Sequence, residues 1–545
     1  FEPGWRTEHA AQEARRRVLG AEAANIQSLE ISGGGSAPTI NLERRGETWY
    51  LTKPLEWPAN QLAVHRIVTD LLLLDHETSF SVQDLVRNGQ KLADYGLDPP
   101  VLTVTFSSGN SSGPGPAGAT PAPRSYSLGL GNQTKDGKLL YLLSPDGGTV
   151  HVVQRSVADS LSQTVDQLRS DTIFAIKVWE VRLFSVSTAA TTTKLRSDND
   201  GSRWLLEAPV QARASKIDTE RTINDLNQLR VKSFLAAPPP DAATANPLLR
   251  ISLEGNNRSE TLLLFNPAGN PAPGAPGDIE YQARMDKRDT FFTVMISADL
   301  MHRLDTAPVA LRERRLLDFD ARAVSAITLS DPSAPNQAEL TLHRLDVPTR
   351  ATGESTPWQI VRRDAGQAPQ TQPADSNVIQ QLLDQLALLS AKDPGGFISD
   401  APTKSDLEGW GFNRPVRDIV LTLASGAAAA TKTLEVKIGI SADRRQAFAQ
   451  VSGSESVYEV DPEILRRTPV EPLAYRDRML RALPTGAQIT GLKLLETAND
   501  KVLFERQIRA APTGDDPAQG LLTQLRVLRA KAFLADHYLP AVTLA

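Results

Sequence analysis

The chain of 545 residues has the length of three or four domains at roughly 150 residues each, which makes one compact unit unexpected. Its 59 basic and 64 acidic side chains leave a formal net charge of −5, so no overall positive field exists to gather nucleic acid or anionic lipid. Zero cysteines exclude disulfides, thiolate metal sites and thiol nucleophiles, while 35 glycines and 37 prolines point to a globular chain rich in turns.

The chain opens on Phe1-Glu2-Pro3-Gly4-Trp5, ahead of a charged amphipathic segment, Thr7 to Leu19, that contains Arg15-Arg16-Arg17. Aromatics beside a helix breaker suit the water-side exit of a membrane helix, and equally a frayed soluble terminus. No apolar run reaches the ~18 residues needed to span a bilayer, and a first residue other than Met leads us to expect a processed or shortened chain.

Self-similarity organises the rest of the chain. Trp49, Trp204 and Trp358 recur 155 and 154 residues apart, in the contexts Trp49-Tyr-Leu-Thr-Lys-Pro54, Trp204-Leu-Leu-Glu-Ala-Pro209 and Trp358-Gln-Ile-Val361. Short alternating strands are predicted upstream of each, at Ile26–Ile31, Val178–Leu183 and Val324–Leu329, with a fourth copy at Ile489–Leu494. Behind each tryptophan strand a helix is predicted, with Val64, Ile67, Leu71 and Leu74 on one face in the first copy and Ile379, Leu382, Leu386 and Leu389 in the third. Asn60, Asp218 and Asp375 stand where N-caps belong. Helix exits match as well: Leu229–Ala236 and Leu528–Ala535 share six of eight residues.

Copies one and three carry Leu92-Ala-Asp-Tyr-Gly-Leu-Asp-Pro-Pro100 and Leu407-Glu-Gly-Trp-Gly-Phe-Asn-Arg-Pro415, which suit a helix end turning into a strand; copy two keeps only Asn246-Pro247. Four more strands and a closing helix complete each unit, giving β-β-β-α-β-β-β-β-α. The fold class is therefore α+β: tandem repeats of about 150 residues, each a largely antiparallel sheet covered by one main helix, in an elongated array. The expected divisions are an N-terminal juxtamembrane segment at 1–25, repeats at 26–174, 175–319 and 320–480, and a partial fourth at 481–545. Joins fall near Phe174, Phe319 and Leu480. Stretches rich in Pro, Gly, Ala and Ser at Ser107–Arg124, Ala236–Pro247, Asn266–Asp278 and Asp364–Ala374 read as loops, and a helix is expected at Leu521–Phe533. Truncation explains the missing strands of copy four better than a native end with an open sheet edge.

Chemistry leaves few marks. His9, His65, His76, His151, His302, His343 and His537 show no metal-ligand spacing and no matching place in successive repeats. Gly113-Pro-Gly-Pro-Ala-Gly118 has the letters of a dinucleotide loop, yet holds two prolines and opens no helix. Asp198-Asn-Asp-Gly201 resembles the start of a calcium loop, with its glycine too early and Pro209 where a carboxylate is required; a hairpin turn explains it. Asp515-Asp516 has no partner spacing for acid/base work. Arg312-Glu-Arg-Arg315 and Tyr475-Arg-Asp-Arg478 recur at unit ends and read as salt bridges or a solvated face. The three recurrent tryptophans read as core residues rather than stacking platforms for sugars or bases. No catalytic, cofactor-binding or metal residue is assigned.

The strand ending in Trp-x-Leu-x-x-Pro, the helix behind it and Tyr95-Gly-Leu-Asp-Pro-Pro100 together resemble the bacterial domain of unknown function 4340. The resemblance covers three units and part of a fourth. It implies one N-terminal membrane helix, outside this sequence, an extracytoplasmic body anchored to the inner membrane, and genes beside gliding-motility-type ABC transporters. The expected function is a non-enzymatic periplasmic scaffold for subunits of an ABC-type transporter or envelope complex, without cofactor or nucleic acid. The alternative is a lipid- or glycan-binding module that uses the sheet faces.

Overall fold

Period-two alternation places every second side chain on one face, and the apolar residues so aligned build three separate sheets of nine strands. The computed structural model describes residues 16–20, 23, 25–33, 38–109, 124–239, 246–267, 277–334, 339–345, 357–362, 370–424, 432–482, 489–496, 501–507, 525, 527–531 and 533. Phe1 to Trp5, His9, Gly113 to Gly118, Asp515-Asp516 and His537 lie outside the described residues.

The first sheet holds β1 (Ile26–Gly33), β2 (Ile40–Arg45), β3 (Thr48–Lys53), β4 (Trp57–Pro58), β5 (His76–Ser81), β6 (Leu102–Ser108), β7 (Arg124–Gln133), β8 (Leu139–Leu143) and β9 (Thr149–Gln154). Across the sheet they run β4-β3-β2-β1-β6-β7-β8-β9-β5, all antiparallel. The second repeats that order with β10 (Leu183–Ser187), β11 (Thr192–Ser197), β12 (Trp204–Ala208), β13 (Ala212–Ala214), β14 (Val231–Phe234), β15 (Leu249–Gly255), β16 (Arg258–Pro267), β17 (Asp278–Met285) and β18 (Phe291–Ser297). The third does so with β19 (Val324–Ser330), β20 (Glu339–Arg344), β21 (Trp358–Arg362), β22 (Gln370–Ala374), β23 (Phe397–Ser399), β24 (Arg417–Leu423), β25 (Lys432–Ile440), β26 (Ala447–Val451) and β27 (Val457–Val460). Trp49, Trp204 and Trp358 occupy the third strand of their respective sheets. Residues Phe1–Arg312, with the first two sheets, form one compact unit, and Glu313–Ala545, with the third, another.

One helix covers a face of each sheet: α1 (Gln61–Leu72), α2 (Lys216–Gln228) and α3 (Ser376–Ala387). Val64, Ile67 and Leu71 of α1 pack on Leu29, Leu42, Leu51, Val104, Leu128 and Leu142, and Ile379, Leu382 and Leu386 of α3 do the same on Ile327, Leu342, Ile360 and Ile438. Each such side chain contributes roughly 1.5–3 kcal/mol by leaving water. Asn60 and Asp375 cap their helices, accepting from Ala63 N and Asn377 N. On the opposite face, the Tyr-Gly and Trp-Gly motifs close against β7 and β25. A side chain at Gly131 would meet Tyr95 O at 2.2 Å and one at Gly439 would meet Trp410 O at 2.1 Å, so only glycine admits the approach.

Five expectations need correction. The unit has nine strands rather than seven, because β4 and β5 and their counterparts add a strand at each edge of the sheet. The cap of α2 is Ser215, whose hydroxyl accepts from Asp218 N, while Asp218 sits one turn in and accepts from that hydroxyl at 2.6 Å. Val178–Arg182 is not strand, and β10 begins only at Leu183: Lys177 N donates to the Glu180 carboxylate and Glu180 N to Lys177 O, closing a turn that leaves Trp179 71% exposed. Gln370–Ala374, expected as loop, is β22. Within the expected helix Leu521–Phe533, Val527–Arg529 is a strand, β31, paired with β28 (Met479–Ala482); β29 (Gly491–Glu496) and β30 (Lys501–Gln507) form a separate hairpin.

Replacing Ser215 by Ala removes the cap of α2 and is expected to cost about 1 kcal/mol in urea unfolding. Ser215→Thr, whose hydroxyl can still accept from Asp218 N and donate to the Asp218 carboxylate, is expected to recover part of that loss.

Candidate functional site

Repeats one and two meet at the edges of their sheets. In the first unit the chain leaves repeat one through Leu168-Arg169-Ser170-Asp171-Thr172, and this segment bonds on both sides. Asn60 N donates to Leu168 O at 2.8 Å and Ser170 N to Pro58 O at 2.9 Å, against the β4 edge of repeat one. Val231 N donates to Asp171 O at 2.8 Å, against the β14 edge of repeat two. Amides that an open sheet would leave exposed are thereby paired.

Trp57 drives the seam. It belongs to β4 of repeat one, yet its ring lies within the core of repeat two, fully buried. Phe234 and Phe292 meet it edge-on at 5.4 and 5.8 Å between ring centres, the Arg288 guanidinium lies 4.6 Å over its face, and its Nε1 donates to Ser170 O at 2.9 Å. Arg169 in turn stacks 4.4 Å over Phe234. Burial pushes both guanidiniums below their ordinary pKa. The Glu260 carboxylate fixes the start of repeat two, accepting from Ala175 N at 2.7 Å and Ile176 N at 3.2 Å.

Related bonds recur elsewhere. Ser215 N donates to Leu311 O at 2.8 Å in the first unit, and Asp375 N to Tyr475 O at 2.8 Å in the second. Asp375 also pairs with Arg529, and Ala530 N donates to Arg478 O at 2.7 Å. The two arginine clusters therefore divide their work. Arg312 is buried and bridges Ala214 through its backbone, Arg314 pairs with Asp393 at 2.5 Å, and Arg478 donates to Lys531 O at 3.0 Å.

The remaining sequence candidates fall apart. Trp49, Trp204 and Trp358 are 8%, 3% and 5% exposed and pack in their own cores, so they offer no open face for stacking. Gln61 pins Trp49, accepting from its N at 2.9 Å and donating to its O at 3.0 Å. Asp198 and Asp200 spend their carboxylates on their own turn, accepting from Arg203 N and Ser202 N, each at 3.0 Å. Among the described residues no three metal-donor side chains converge. Two histidines unrelated in sequence, His76 and His151, do come together on β5 and β9, with ring centres 4.9 Å apart. A groove of about 690 Å3 runs beside α1, lined by Trp49, Leu62, His65, Val68, Leu72 and Arg44 among others. Sequence comparison between repeats passes over Trp57 and Arg288, because the place of Trp57 is taken by Ala212 one repeat later.

A family model described as a domain of unknown function (DUF4340) matches residues 49–248 and 365–544. The chain belongs to the DUF4340 family. The first match takes in Trp49, Trp57 and the seam segment, and the second takes in α3 and Asp375. No curated protein matches. Among solved structures, the transferrin binding protein B of serogroup B Neisseria meningitidis is 10% identical over 78% of this chain and 65% of its own, under two thirds of that protein, with a TM-score of 0.07. A likeness that slight carries no argument. No helix among the described residues of this DUF4340 chain is long and apolar enough to cross a membrane.

Trp57→Ala is expected to cost about 3–5 kcal/mol in equilibrium unfolding of the first unit, whereas Trp179→Ala, at an exposed turn, is expected to change stability by less than about 0.5 kcal/mol.

Proposed function

We propose that this DUF4340 protein is a non-enzymatic scaffold, tethered to the membrane on its extracytoplasmic side, that holds subunits of an ABC-type transporter or envelope complex. The observation that carries the reading is the seam. Repeats one and two use the buried Trp57 and Phe292 and the half-buried Phe234, Arg169 and Arg288 to join one sheet to the next. A chain that invests its conspicuous residues in fixing sheet against sheet gains a broad, firm surface, which is what a scaffold requires. Tethering and the transporter partner rest on the family resemblance.

A second reading, the capture of a small amphipathic lipid or glycan, is favoured by the groove beside α1. Its volume lies in the range of ligand sites, and it combines apolar Leu62, Val68 and Leu72 with polar Arg44 and His65.

Mild-detergent affinity purification of the full-length protein from membranes is expected to recover transporter or envelope subunits in stoichiometric amount. Recovery of the protein alone, with bound lipid in native mass spectra, would favour the groove instead.

A further inference from the structure

The histidine pair of repeat one sits where repeat two places hydrocarbon. His76 lies opposite Val153 as Val231 lies opposite Val294, so His76 takes the position of Val231, and His151, two residues before Val153, takes that of Phe292. Phe292 is the ring that seats Trp57 in the seam. In repeat one this place holds two imidazoles with ring centres 4.9 Å apart and planes inclined at 54°. The Nδ1 atoms of both are buried and have no hydrogen-bond partner among the described residues. No bond to a neighbour therefore fixes a proton on either Nδ1, and the ring-to-ring contact tolerates neutral imidazoles far better than two cations.

Their position makes this contact consequential. Strand β5 is the outermost strand of its sheet, held on one side by β9. Its start also meets the segment that enters repeat one: Arg17 bridges Asp75, and Val18 N donates to Leu74 O at 2.9 Å. We propose that His76 and His151 form an acid-sensitive latch, in which their ring contact holds edge strand β5 on β9 while His151 is neutral and loosens it when His151 takes up a proton.

The charges around the pair are few. Asp146, in the turn between β8 and β9, favours a proton on His151, but its carboxylate is already engaged by Ser144 and by Gly148 N at 3.0 Å. Glu77, the next residue of β5, accepts from Gln154 at 3.0 Å and lies 4.0 Å from Arg16. Asp75 and Arg17 face each other at the bridge, and Leu142 of β8, opposite His151, brings no charge. Burial first, and His76 second, hold the His151 imidazole below its ordinary pKa against the opposing pull of Asp146. The sign follows from linkage. A histidine depressed in the folded state binds protons more readily when unfolded, so its contribution is intact above about pH 6.5 and is lost as pH falls through the folded value.

Amide exchange in β5, corrected for the intrinsic effect of pH, tests the latch in the intact chain. Protection at Thr78 and Phe80 is expected to fall about tenfold between pH 7 and pH 5, while protection in β14 of repeat two stays level. His151→Phe and, separately, His76→Val are expected to flatten that dependence. The imidazole resonances of the unaltered protein give a second reading that needs no variant: His151 is expected to titrate below 6.5. Protection that does not change with pH, the same change in both variants, or a His151 that titrates at or above 6.5 would overturn the proposal.

Discussion

Everything in the first unit depends on how an open sheet disposes of its edges. A nine-stranded antiparallel sheet ends in two rows of backbone groups that must be paired or wetted, and an unpaired edge invites the wrong partner. The chain solves this by running its own connecting segment between the first and second sheets, so that Leu168 O and Asp171 O accept from Asn60 N in one repeat and Val231 N in the next. Hydrogen bonds alone would leave the seam wet and weak. Trp57 supplies a buried anchor: by entering the core of repeat two beneath Arg288, it packs one sheet's edge into the next sheet's core.

This arrangement accounts for how the charged residues are used. Arginines at the ends of repeats cover aromatic faces or bond to carbonyls rather than gather around a shared anion. Arg169 lies over Phe234 and Arg476 over Phe533, and within the third sheet Arg344 of β20 lies over Trp358 in the same way. Inside repeat two, Arg303 is buried and bonds Thr222 at 3.0 Å and the carboxylates of Asp225 and Asp299, tying α2 to the helix Ala298–Asp305. Breaking such a pair from one side leaves a buried charge without its partner, so these contacts specify geometry more than they add stability.

Much of the fold was legible because it repeats. The tryptophan strands, the 3.6-period faces of α1 and α3 and the glycine motif before β6 and β24 each obey a local rule, and recurrence removed the ambiguity of any single copy. Three of the edge strands were not legible, for a physical reason. Trp57–Pro58, Ala212–Ala214 and Phe397–Ser399 are two or three residues long, too short to alternate, and exist as strands only because a neighbour offers a ladder. Val178–Arg182 misled in the opposite sense, with the alternation of a strand but a Glu180 side chain that accepts from Lys177 N and closes a turn. The candidate site was less legible still. Trp57 and Arg288 do not recur, and His76 and His151 meet only through the pairing of β5 with β9, a contact that spacing along the chain does not reveal.

Native-state hydrogen exchange at two amides tests whether the seam makes repeats one and two a single cooperative body. Asn60 N and Val231 N bond to carbonyls three residues apart on the same segment but belong to different repeats. If Trp57 locks the seam, both open with the same free energy and the same denaturant slope, and Trp57→Ala lowers the two together. Opening energies that differ in the unaltered protein, with only one of them moved by Trp57→Ala, would mean that the repeats fold as independent neighbours.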